Sequence, residues 1–159
     1  MYKRLKRTSE EKHMFKVIVD SVTFDPSSSL YKISLKDERT GKILPIFVGA
    51  FEGNAVVIGI KKIPTVRPLT HDLTLNILEK LLARITKIIV SDLRDNVYYG
   101  QIFIDVGETE MQVDSRPSDA IALAIRANAP IYVSTKLLDR FIDEFDEILE
   151  EMEPEETVH

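Results

Sequence analysis

Two short stretches hold the polar residues whose types and spacing could do chemistry. In RPLTHDL, residues 67–73, and SRPSDA, residues 115–120, an arginine precedes a proline and an acid follows within a few positions. Proline at the first position of a helix sacrifices no hydrogen bond, so both stretches read as helix starts. Asp72 and Asp119 in such first turns are favoured by the helix dipole by ~0.3–1 kcal/mol each, with no function attached. The same residues also read as a site. Unpaired N–H groups at a helix N-terminus flanked by Arg67 or Arg116 would hold an anion. Two such starts meeting in space would offer arginines to a phosphate and carboxylates to a metal, with His71 as general acid or base. Cap and site are both open at this point.

The remaining residues narrow the chemistry. The chain has no cysteine, which excludes disulfides, thiolate metal centres and cysteine nucleophiles. It has no phosphate-binding G-x-x-x-x-G-K, no G-x-G-x-x-G, no H-E-x-x-H and no G-x-S-x-G. Of its three histidines, His13 and His159 lie near the ends, so imidazole chemistry rests on His71 alone. Catalysis would lean on carboxylates and arginines.

The elements that must position these residues follow from periodicity. FKVIVDSVTF (15–24), LYKISLKD (30–37) and ILPIFV (43–48) read as three strands in meander order, with Pro45 favouring an edge or a bulge. GAFEGNAVVIGI (49–60) reads as a helix with Phe51, Ala55 and Ile58 on one stripe, weakened by Gly53 and Gly59. Residues 70–84 read as a strong helix with Thr70 as N-cap and Leu73, Ile77, Leu78, Leu81 and Leu82 on its buried face. Two strands, 85–93 and 97–106, flank Arg94-Asp95-Asn96, a tight turn because Asp and Asn tolerate positive φ. A strand at 110–114, a helix at about 116–127 and a short strand IYVS complete the middle of the chain. A last helix, about 135–150, is expected to bury Leu138, Phe141, Phe145 and Leu149 and to turn Asp139, Asp143, Asp146 and Glu150 to water. Hairpins interrupted by clustered helices argue for one α+β domain, a mixed β-sheet packed by about four helices, and against a doubly wound arrangement.

A chain of 159 residues is long enough for one core and short for two. The net charge of −5 conceals strong segregation: residues 1–12 carry +3, residues 13–138 carry +1 and residues 139–159 carry −9. An acidic tail repels phosphate only within about 8–10 Å at physiological salt, so the total charge does not decide what the body binds. No apolar run reaches the ~20 residues of a membrane span, and the N-terminus lacks a secretory apolar stretch. A cytoplasmic location is the expectation.

Three ordered motifs then carry a resemblance. LPIFVGAFEGNAV (44–56), RPLTHDLTLNILE (67–79) and DSRPSDAIALAIRANAPIYVS (114–134) resemble the bifunctional nuclease domain family, the match running from about residue 15 to 138. The resemblance divides the chain into a basic arm (1–12), a bifunctional-nuclease-like domain (13–138) and an acidic C-terminal helix and tail (139–159). It implies a homodimer and cleavage of DNA and RNA. Within its motifs, His71, Asp72 and Asp119 would be catalytic, and Arg67, Arg116 and Ser118 would bind substrate. Phosphodiester hydrolysis needs an activated water and charge stabilisation, which Mg²⁺ or Mn²⁺ held by Glu52, Asp72, Asp114 and Asp119 could supply. No organic cofactor is expected. Two other classes stand beside the nuclease: an anion- or small-ligand-binding regulatory domain, and a dimeric interaction module using the apolar surface of residues 49–60. Convergence of Glu52, His71, Asp72, Arg116 and Asp119 on one cleft would favour the first two of the three classes.

Overall fold

The computed structural model describes residues 13–152; the basic arm and the end of the acidic tail, residues 153–159, lie outside the described residues. Seven strands form one mixed sheet. β1 (Met14–Asp25), β2 (Leu30–Lys36) and β3 (Ile43–Val48) make one antiparallel meander, and β4 (Ala83–Arg94), β5 (Val97–Val106) and β6 (Thr109–Ser115) make another. The short β7 (Ile131–Ser134) joins them, antiparallel to β1 and parallel to β4, in the order β3-β2-β1-β7-β4-β5-β6. Pro45 falls on β3, an edge strand, where a missing N–H breaks no ladder beyond the edge. Asp95 and Asn96 take φ of 49° and 60°, the left-handed pair that the β4–β5 hairpin requires.

Four α-helices accompany the sheet: α1 (Ala50–Lys61), α2 (Thr70–Lys80), α3 (Pro117–Ala127) and α4 (Glu144–Met152). α3 is the central one. Its Ala120, Ile121, Ala122 and Ala124 are fully buried against a core that includes Ile33, Leu35, Ile88, Val90 and Val133. The alanines keep its axis close to the strands, and α3 touches both α1 and α2 as well as β4 and β5. Gly53, read from sequence as a weak point of α1, has a packing reason: a Cβ there would lie 2.2 Å from the Tyr31 ring. No described helix is long and apolar enough to cross a membrane.

Expectations for three elements need correction. α2 ends at Lys80 rather than 84, because Leu82 adopts a φ of 58° and the chain enters β4 at Ala83. Its expected buried face is largely outward: Leu75 and Leu78 are half-buried, while Leu73, Ile77, Leu81 and Leu82 are exposed. On α1 the stripe also fails, since Phe51 is exposed and the buried residues are Gly53 and Val56. The single C-terminal helix splits into a 3-10 segment, Thr135–Arg140, and α4, because Ile142 leaves the helix to bridge Ile43 beside β3. With three residues per turn in that segment, Leu137 rather than Leu138 points inward. Phe141 is buried as expected, stacking at 5.3 Å on Phe15, but Phe145 and Leu149 are exposed.

Candidate functional site

The first turns of α1, α2 and α3 each place an acid at the same helical position. The residues preceding the helices are Gly49, Leu69 and Arg116, so Glu52, Asp72 and Asp119 are all third in their helices. Each carboxylate therefore sits where backbone N–H groups are unpaired and the dipole favours negative charge. What each does there differs.

Asp72 is a cap. Its Oδ2 accepts from the Leu69 N–H at 2.9 Å, and its Oδ1 accepts from Arg126 Nε at 3.0 Å. The Leu69 bond, opposed by burial and reinforced by Arg126, lowers its pKa below 3.8. Thr70, expected as N-cap, is instead the first helical residue, and its carbonyl accepts from Thr74 Oγ1.

Asp119 accepts from no backbone N–H at the start of its own helix and bonds side chains only. Its Oδ1 lies 3.0 Å from His71 Nε2, and its Oδ2 accepts from Arg116 Nε at 2.7 Å. Burial pushes its pKa up, yet the Arg116 and His71 bonds outweigh that and leave it lowered. An ionised carboxylate is an acceptor only, so Nε2 of His71 carries the proton in this contact. In the neutral ring the lone pair is then on Nδ1. Asp119 thus fixes the tautomer.

Arg116 links this pair to α1. Pro117 restricts the preceding residue to extended backbone, and Arg116 holds φ −70° and ψ 145°. Its guanidinium donates to Asp119 and, through Nη1, to Glu52 Oε1 at 2.9 Å. Glu52 curls back over Gly49, where a Cβ would meet its Oε2 at 2.5 Å. Its own backbone N–H, then Arg116, lowers its pKa. Glu52, His71, Arg116 and Asp119 line one cleft of about 520 Å³ with apolar walls from Phe51, Ile58, Pro68 and Leu69.

The other expected site residues lie apart from this cleft. Arg67 is on the exposed loop before α2, and its side chain makes no ion pair among the described residues. The two Arg-Pro stretches are out of step: measured back from the acid, Arg116 is three residues away and Arg67 five. Pro117 opens its helix, whereas Pro68 precedes Leu69 and stays outside. Ser118 is buried at the second position of α3 and does not line the cleft. Asp114 is exposed on β6, opposite Gln101.

These carboxylates do not fit Mg²⁺ or Mn²⁺ as placed. Among the described residues no group of three or more His, Asp or Glu side chains is arranged to hold a metal ion. The Arg116 cation already bridges Glu52 and Asp119, both Asp72 oxygens are engaged, and Asp114 is elsewhere. The four acids expected as metal ligands are therefore not gathered in one place among the described residues.

Arg126 was not anticipated. It pairs with Asp72 from a side chain only 8% exposed. Its signal was present in the sequence: it follows Asp119 by seven residues, two helical turns, and so shares that face of α3.

Comparisons with known proteins agree with these motifs. Residues 33–144 match the bifunctional nuclease domain. An uncharacterized protein of Mycobacterium tuberculosis is 31% identical over 104 residues, 65% of this chain and 62% of that protein. Bifunctional nuclease 1 of Arabidopsis thaliana is 27% identical over 104 residues, 64% of this chain and 32% of the plant protein. The matched segment thus spans less than two thirds of either relative.

Proposed function

We propose that this chain, which belongs to the bifunctional nuclease domain family, cleaves phosphodiester bonds of DNA and RNA with His71 as its proton carrier. The observation that carries this reading is the His71–Asp119 contact of 3.0 Å, held in a cleft that also contains Arg116. The Nδ1 lone pair of His71 takes a proton from an attacking water as its oxygen bonds to phosphorus. The imidazolium so formed is stabilised by Asp119 and returns the proton to the leaving oxygen as the old P–O bond breaks. Such acid–base work contributes about 10²- to 10⁴-fold. Arg116, on turning from Glu52, offers its planar fork to a phosphoryl oxygen. In this reading Arg67, on the exposed loop before α2 and outside the cleft, draws in the polyanion.

The Arg116 guanidinium in the same cleft also supports a second reading, an anion- or ligand-binding domain that holds its ligand without hydrolysis. Cleavage of labelled single- and double-stranded DNA and RNA by highly purified protein, with and without chelator, separates the two. The nuclease reading expects cleavage that His71→Gln abolishes. Binding of the same oligonucleotides without cleavage supports the second. In either case the exposed apolar side chains of α2 fit a homodimer.

A further inference from the structure

The first turn of α2 lies across α3 between two opposite charges. At one end His71 meets Asp119, and at the other Asp72 accepts from Arg126 Nε at 3.0 Å. Asp119 and Arg126 are two turns apart on one face of α3, about 10 Å along its axis. The adjacent His71 and Asp72 span that distance as a crossed pair of contacts.

Little else holds this helix in register. α2 has no fully buried residue, and its inward packing comes from the half-buried Leu75 and Leu78. Arg126, by contrast, is anchored. Its Nη1 donates to the Ala122 carbonyl at 3.0 Å, and a Cβ on Gly59 of α1 would come within 2.8 Å of that nitrogen. One buried guanidinium therefore touches α1, bonds within α3 and grips α2. Its Nη2 finds no acceptor among the described residues. Asp72 divides its two oxygens between starting α2 and tying that start to α3.

We infer that Arg126 is a positioning residue which, through Asp72, holds the first turn of α2 so that the His71 imidazole meets Asp119 in a single tautomer. The inference rests on the reading of His71 as proton carrier only for its consequence in cleavage; the clamp itself is a property of the resting protein.

The test is the imidazole nitrogen spectrum of ¹⁵N-labelled full-length protein at neutral pH, with His13 and His159 as internal references. In its neutral form the parent's His71 should carry its proton on Nε2. Arg126→Gln should give a mixture of tautomers at His71, with the references and the dispersion of backbone amides unchanged. Asp72→Asn, which keeps an oxygen for the Leu69 N–H, should do the same to a smaller extent. Arg126→Lys keeps the charge without the fork and should recover part of the parental signal; it serves as the test variant if Arg126→Gln does not fold. Where cleavage is measurable, kcat should fall on the order of 10- to 100-fold with KM little changed, the signature of a displaced group rather than a lost binding contact. Folded variants that retain the parental His71 tautomer would overturn the clamp. A tautomer change in a protein that cleaves nothing would leave the clamp standing and remove the nuclease reading instead.

Discussion

His71 Nε2 and Asp119 Oδ1 lie 3.0 Å apart across the gap between the first turns of α2 and α3. Asp119 contributes nothing to the backbone of its own helix, whereas Asp72, at the equivalent position, bonds the Leu69 N–H. Two acids that look alike in sequence are thus a side-chain partner and a cap. This difference makes them separable by substitution.

Asparagine keeps an oxygen for His71 Nε2 or Arg116 but removes the charge that stabilises an imidazolium. Asp119→Asn should therefore lower cleavage by about 100-fold or more while the melting temperature moves little. Asp72→Ala should show the opposite pattern in stability. It removes a helix cap and leaves the buried Arg126 without its carboxylate, together on the order of 2–3 kcal/mol. Urea unfolding of both variants beside their cleavage rates checks the contrast. Equal destabilisation by the two would show that Asp119 also acts as a structural tie.

The same acids set a pH dependence. Glu52, Asp72 and Asp119, with the buried Asp37 that accepts from Arg39, all have folded pKa values below their ordinary 4.5 or 3.8. A lowered folded pKa means that the unfolded chain binds more protons in the intervening window, so stability rises with pH there. The contribution is complete above the ordinary values and is lost as pH falls through the lowered ones. Urea midpoints should be flat from pH 7 to about 5 and then drop toward pH 2. Arg126→Gln should flatten part of that drop by freeing Asp72. A midpoint that rises on acidification would contradict the assignment of these carboxylates as paired.

Strands were the most legible part of the sequence, because alternation in β1 and β2 and the Asp95-Asn96 turn are local signals that tertiary packing reinforces. Helix faces were less legible. Leu73, Ile77 and Leu81 form a good apolar stripe by spacing alone, yet periodicity does not say whether the stripe faces the chain's own core. The site was legible where motifs concentrate polar residues: Glu52, His71, Arg116 and Asp119 do meet. Arg67 does not join them, because its helix starts two residues later after the Arg-Pro pair than the other does. Arg126 was hidden because a lone arginine in a last helical turn is ordinary until its partner on another helix is known.

The outward stripe of α2 yields the last prediction. Leu69, Leu73, Ile77 and Leu81 recur at four-residue intervals and are all exposed, and Val66 and Leu82 extend the apolar surface beyond both ends of the helix. A single exposed leucine needs no explanation, but a contiguous apolar strip marks a contact surface. The sequence had placed a twofold contact on residues 49–60; in α1 only Phe51 and Ile60 are large and exposed, so α2 is the better candidate. A twofold axis beside α2 would set the stripe against its own copy, burying the same residues on both sides. Light scattering of the intact chain should then give about twice 18.1 kDa at micromolar concentration. Leu73→Lys with Ile77→Lys, placing like charges on both faces of that contact, should give a monomer that keeps its secondary structure. Because the stripe runs directly into Leu69 and the cleft, the monomer should also show faster amide exchange at His71 and Asp72. A dimer that survives both lysines would move the contact to another surface.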